Sequence, residues 1–226
     1  MTGMIKLASP MDGFQFGALH ASPKGARRGG VIVLQEIFGL DKYVHEDVAR
    51  WSGLGFEALA PALFDRHEPG FVAEHNPEGV ERGRAHATAL GAVAPLSDIQ
   101  ACVEHLKPRG PVFLVGYCYG GMLGWVAANR TPDLAAVSSY YGGMMVQNAV
   151  LTPQCPVICH FGAKDPHIPA AEVKAALNAA QPQVQVFVYE HSGHGFNNDG
   201  RPDSDPGDAA LARQRTLGLF AANGAL

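Results

Sequence analysis

The stretch from Val112 to Gly121 constrains the fold more than any other part of the chain. It reads Val112-Phe113-Leu114-Val115, then Gly116-Tyr117-Cys118-Tyr119-Gly120, and leads into the small apolar run Gly121 to Ala128. A short apolar run without polar alternation is a strand covered on both faces. The small-residue run reads as a buried helix. Between them Gly-x-Cys-x-Gly demands a sharp turn, in which the neighbours two positions from the cysteine carry no bulky Cβ. The segment predicts strand, tight turn and helix packed back on one sheet, the repeating unit of a parallel α/β fold.

The remaining pattern agrees. Val31 to Gln35, Phe56 to Ala60, Val137 to Tyr140, Val157 to Phe161 and Val184 to Tyr189 read as further strands. Lys42 to Leu54, Asp98 to Leu106, Ala170 to Ala179 and Asp208 to Leu219 read as helices. Pro69 to Glu81 is polar and His-rich, a loop or the entry to a helix, and Asn197 to Gly207 reads as a surface loop. The expected architecture is a three-layer α/β sandwich, a mostly parallel sheet with helices on both faces, spanning residues 1–226 as one domain. Right-handed crossovers put the C-terminal strand ends on one edge, where ligands bind.

Composition removes other classes. The chain has 226 residues, 47% of them hydrophobic and 17% charged, enough apolar mass for a large core and too little charge for a disordered segment. Net charge is −4 and Arg27-Arg28 is the only adjacent basic pair, so no nucleic-acid partner is expected. No apolar run approaches the roughly 20 residues that span a bilayer, and the first residues have no apolar core of a signal peptide. The expectation is a cytoplasmic protein, not membrane-bound, with its four cysteines reduced.

At a strained turn before a helix, Cys118 meets the helix's positive end, which favours a thiolate. The Tyr119 N–H would face a developing oxyanion. This is the nucleophile-elbow pattern with cysteine in place of serine. The plain alternative is a glycine-rich turn around an inert cysteine. An active thiol needs a base, and the base needs an orienting group. Asp165 follows the Val157 to Phe161 strand, and His194, between Gly193 and Gly195, follows the Val184 to Tyr189 strand. Nucleophile, acid and histidine thus occur in the chain order of elbow hydrolases. Asp165 before Pro166 also suits a turn, His191 is the nearest rival histidine, and His160 reads as a satisfied core residue. Cys155, Cys159 and His160 lack a further pair at zinc spacing, so neither metal nor other cofactor is expected.

After the first strong strand comes Gln35-Glu36-Ile37-Phe38-Gly39. The Ile37 N–H is the expected second oxyanion donor. Glu36 would lie beside the elbow, where a carboxylate disfavours a thiolate until substrate displaces it. Phe38, like Phe64, Phe71, Trp125 and Tyr140, is either pocket lining or core.

These pieces together, Gln35-Glu36-Ile37-Phe38-Gly39, Gly116-Tyr117-Cys118-Tyr119-Gly120-Gly121, Asp165 and Gly193-His194-Gly195-Phe196, resemble the dienelactone hydrolase family, also called carboxymethylenebutenolidases. The resemblance runs from about Met11 to the C-terminal helix. It implies an α/β-hydrolase fold in a monomer, a Cys118-His194-Asp165 triad, and a Glu36 that switches the cysteine on when substrate binds. The founding reaction opens a dienelactone to maleylacetate in the breakdown of chloroaromatics. That family grips the substrate carboxylate with two arginines, one just after the histidine. Here Gly195-Phe196-Asn197-Asn198 follows His194, with no arginine until Arg201. The other corresponds to Arg82, or alternatively Arg84. The expected activity is cysteine-based opening of a small-molecule lactone or ester. A broader carboxylesterase or thioesterase, or a non-catalytic redox sensor built on Cys118, are the rival readings.

Overall fold

The computed structural model describes residues 2–225. Eight strands form one sheet in the order β1-β2-β4-β3-β5-β6-β7-β8. At its edge β1 (Thr2–Ala8) and β2 (Gln15–Ala21) form an antiparallel hairpin, and β2 runs antiparallel to β4 (Glu57–Pro61). From β4 onward β3 (Gly30–Leu34), β5 (Val112–Tyr117), β6 (Leu134–Tyr140), β7 (Val157–Gly162) and β8 (Gln185–Tyr189) are parallel. Every residue of β3, β4 and β5 is buried. That is why β3 and β5 read as nearly unbroken apolar runs, while β4 carries one buried acid, Glu57, at its start.

The helices are α1 (Lys42–Gly53), α2 (Pro77–Leu90), α3 (Val93–Leu106), α4 (Tyr119–Arg130), α5 (Met145–Asn148), α6 (Ala170–Ala180) and α7 (Pro206–Ala222). Side chains alternate across a strand, and β5 shows the two layers. Phe113 stacks on Phe220 of α7 at 4.5 Å, and Trp51 of α1 meets the same ring at 5.4 Å. Leu114 points the other way, toward Gly124 of α4, where an added Cβ would come within 2.9 Å of it.

Three segments differ from expectation. The β1–β2 hairpin has no counterpart among the predicted strands, because β1 is largely exposed and only Ile5 and Leu7 alternate inward. Helix α2 occupies Pro77–Leu90, where a loop or helix entry ending at Glu81 was expected. Its start is chemically ordinary: Asn76 accepts the Gly79 N–H at 2.9 Å and Pro77 opens the first turn. The stretch after His194 is irregular, but it is not simply a surface loop, since Asn197 and Asn198 are buried.

Candidate active site

The turn after β5 has the geometry its glycines suggest. Cys118 caps α4 with φ 52° and ψ −110°, a left-handed backbone that costs a non-glycine residue about 1–3 kcal/mol. Two hydrogen bonds hold it: the Cys118 N–H to the Tyr140 carbonyl and the Gly120 N–H to the Gln35 carbonyl, both 3.0 Å. A Cβ on Gly116 would fall 2.1 Å from the Gly120 oxygen, and one on Gly120 would fall 2.6 Å from the carbonyl oxygens of Leu34 and Gln35. The first turn of α4 is thus wedged between the ends of β3 and β6, and the sulfur stands above the sheet edge at the positive end of a helix.

Two other strand ends deliver its neighbours. After β7, the buried Asp165 carboxylate accepts N–H bonds from His167 at 2.8 Å and Ile168 at 3.1 Å on one oxygen. On the other it accepts the His194 Nδ1–H at 2.7 Å. Burial pushes Asp165 up, but His194 and the two backbone donors bring it below the ordinary carboxylate value. Burial would make a charged His194 costly; the Asp165 carboxylate on Nδ1 and the nearby Cys118 sulfur outweigh it and raise the imidazole to about 10. The arrangement can move a thiol proton onto an oriented imidazole.

Glu36 lies at the end of β3 with its side chain 8% exposed. Asn198 Nδ2 donates to one oxygen at 3.3 Å and Arg201 Nη1 approaches the other at 3.5 Å. Arg201 also lies over Gly195, where a Cβ would be 2.6 Å from the guanidinium, so it closes the space between the histidine loop and Glu36. That loop is pinned from α7: Arg213 donates to the Asn197 side chain at 2.9 Å and to both oxygens of Asp199 at 2.9 and 3.1 Å. Arg201, Asn198 and Tyr141 are absent from the residues the sequence nominated. Tyr141, directly after β6, is fully buried at φ 37°, with its ring 5.1 Å from that of His194.

The loop after β3 is equally fixed. The Gly83 face of α2 packs against the Ile37 carbonyl, leaving only 2.0 Å to an added Cβ. The Gln35 side chain accepts the Leu63 N–H at 3.2 Å. Neither the Ile37 nor the Tyr119 N–H has a backbone acceptor among the described residues. Phe38 sits on this loop, 6% exposed and stacked on His75 at 3.7 Å. His75 in turn donates to Asp41 at 2.6 Å.

Arg82 is not drawn to Glu36 or the thiol. Its guanidinium pairs with Glu68 at 2.9 Å on the surface and lies over Phe71, and Arg84 is exposed. His160 is buried and bonded to Tyr189 and Ser138, and burial pushes it down to about 3. His191 is 70% exposed. Burial raises Cys155 to about 11 and Cys159 to about 12. Two clusters of possible metal ligands occur elsewhere, His20/Glu57/His105 and His191/Asp205/Asp208. In the first, Arg27 and Arg109 already neutralise Glu57.

An eight-stranded sheet with this strand order, and a cysteine turn, an aspartate and a histidine after β5, β7 and β8, define an α/β-hydrolase fold. The comparisons narrow it. The family model described as the dienelactone hydrolase family matches residues 16–224. The carboxymethylenebutenolidase of Pseudomonas putida is 32% identical over 221 residues, covering 93% of this chain and 92% of that protein. A crystal structure of a candidate dienelactone hydrolase from Klebsiella pneumoniae superposes with a TM-score of 0.83 at 27% identity, covering 98% of this chain and 99% of the other. An acylaminoacyl peptidase from Pyrococcus horikoshii, 13% identical, shares the fold alone, with a TM-score of 0.71 over 100% of this chain and 42% of its own. The chain belongs to the dienelactone hydrolase family, and it is a hydrolase. Among the described residues no helix is long and apolar enough to cross a membrane.

Proposed function

We propose that this hydrolase opens a small lactone or enol ester, of the dienelactone type, through an acyl-thioester on Cys118. The observation that carries the reading is the 2.7 Å hydrogen bond by which Asp165 orients His194, near the strained turn that presents the Cys118 sulfur. His194 takes the thiol proton, and the sulfur attacks the carbonyl carbon. The carbonyl oxygen becomes an oxyanion between the N–H groups of Ile37 and Tyr119, each worth about 10²–10³ in rate. The ring C–O bond then breaks, its electron pair stays on the leaving oxygen, and His194 returns the proton there. A water gives its proton to His194 and adds to the thioester carbon. The C–S bond breaks, the sulfur recovers the proton, and an acid is released. Asp165 stays ionised throughout and holds the imidazolium.

A substrate carboxylate would be met by Arg201, which already faces a carboxylate in Glu36. An arginine fork is the usual holder of such a group. Once Arg201 turns to the substrate, Glu36 is released beside the sulfur. Because Arg82 is engaged by Glu68, a second reading, a broader esterase or thioesterase, keeps support. Rates on dienelactones, p-nitrophenyl esters and thioesters separate the two. Mass spectrometry after brief exposure to each should find the acyl adduct on Cys118, and Cys118→Ala should lose both adduct and turnover. Unchanged turnover in purified Cys118→Ala protein overturns the mechanism.

A further inference from the structure

Tyr141 carries two costs in one residue. Its backbone is left-handed at φ 37° without being glycine, and its side chain is 0% exposed with a hydroxyl that makes no hydrogen bond to the described residues. Burying a hydroxyl unpaired costs its full desolvation with no bond in return. A strained backbone adds a further cost. Such costs persist where a function uses the group.

The surroundings say which function. The Tyr141 N–H donates to the His160 carbonyl at 2.7 Å, which fixes the residue at the shared strand edge. Its ring lies between those of His194 at 5.1 Å and Phe196 at 5.6 Å. The Glu36 carboxylate, the Tyr117 hydroxyl and the Cys118 sulfur are the polar groups that act on its hydroxyl. Glu36 comes near enough to affect it without reaching hydrogen-bond geometry. Tyr117 is spoken for by Asp47 at 2.8 Å. The hydroxyl is therefore a buried donor beside Glu36 and the Cys118 sulfur that completes no hydrogen bond with the described residues.

Resting on the thioester reading above, we propose that Tyr141 is a further catalytic residue, whose hydroxyl donates a hydrogen bond to the leaving oxygen of the substrate. Two oxygens gain charge in acylation. The carbonyl oxygen has the N–H groups of Ile37 and Tyr119. The leaving oxygen must stand at His194, which returns its proton, and Tyr141 is the donor packed on His194. When the C–O bond breaks, the electron pair collects on that oxygen, and the Tyr141 O–H shares the charge until the imidazolium proton arrives. No proton leaves Tyr141.

The test is Tyr141→Phe, assayed on esters of one acid with leaving groups from p-nitrophenol to simple alcohols, beside Cys118→Ala. The expected result is a fall in kcat/KM of about tenfold to a hundredfold for alkoxide leaving groups, and much less for p-nitrophenolate, which needs little help. Tm should stay equal or rise, since an unpaired buried hydroxyl has been removed. An equal loss for every leaving group, activity unchanged throughout, or a fall in Tm parallel to the loss of rate, each overturns the assignment. Activity surviving in Cys118→Ala would instead overturn the thioester mechanism, so the two failures are distinct.

Discussion

Asp165→Asn isolates the orienting carboxylate with almost no change of shape. Of the three hydrogen bonds Asp165 accepts, the two from the His167 and Ile168 N–H groups can pass to the amide oxygen. The third, at 2.7 Å from His194 Nδ1, cannot, because an amide NH₂ would now face it. Nδ1 then has to be the acceptor, which leaves the proton on Nε2, pointing at the sulfur it should relieve. A wrong tautomer of this kind costs a serine hydrolase about 10⁴ in kcat. A thiol is less dependent on its base, so a loss of about 10²–10³ is expected here. The pH dependence of stability should change with it. His194 is held at about 10, above its ordinary 6.5, so its pairing stabilises the fold fully below pH 6.5 and is lost as pH rises through about 10. Removing the carboxylate should flatten that decline. The assays are kcat/KM on a p-nitrophenyl ester and urea unfolding at pH 6, 8 and 10. A variant within tenfold of wild type, with the same decline in stability, would refute the role given to Asp165.

Gly120→Ala places a methyl 2.6 Å from two backbone carbonyl oxygens, and should lower unfolding stability by at least about 3 kcal/mol in urea titration; a fully stable variant would contradict the elbow geometry. Arg201→Met should raise KM roughly tenfold for lactones that carry a carboxylate and leave neutral esters nearly unchanged, as read from steady-state kinetics on both. Glu57, at the opposite end of the sheet, is pushed up by burial but brought below its usual value by His20, Arg27 and Arg109. Its contribution is therefore present above pH 4.5 and lost as pH falls through its lower folded value. Glu57→Gln should cost about 3–5 kcal/mol in denaturant unfolding with kcat unchanged.

What was legible in the sequence follows from how local each signal is. Strands β3 and β5 and the Cys118 turn announce themselves because burial on both faces and the steric demand for glycine act within a few residues. Asp165 and His194 could be nominated because the fold delivers successive strand ends to one edge. The β1–β2 hairpin lacked that signal, since a half-exposed edge strand mixes Lys6 and Thr2 with Ile5 and Leu7. Helix α2 was masked by its polar composition, although Asn76-Pro77 carries a cap and an N1 proline. Arg201 and Asn198 meet Glu36 across 165 and 162 residues, and no local pattern encodes such a meeting. It depends on Arg213 of α7 drawing in the loop that was read as surface.

The same long-range contacts explain why Glu36 is tolerable beside the nucleophile. A buried carboxylate near a sulfur that must carry negative charge works against attack. Arg201 offsets it, as His194 offsets Asp165, so the site holds two opposed charge pairs. Only one pair can be broken by substrate without dismantling the base. Asp165 is fixed by two backbone N–H groups as well as by His194, whereas Glu36 is held by side chains alone, at 3.3 and 3.5 Å. The weaker clamp is the one a substrate carboxylate can compete for, and it lies next to the unpaired hydroxyl of Tyr141. The clamp on Asp165 is the more rigid of the two, and the clamp on Glu36 the looser.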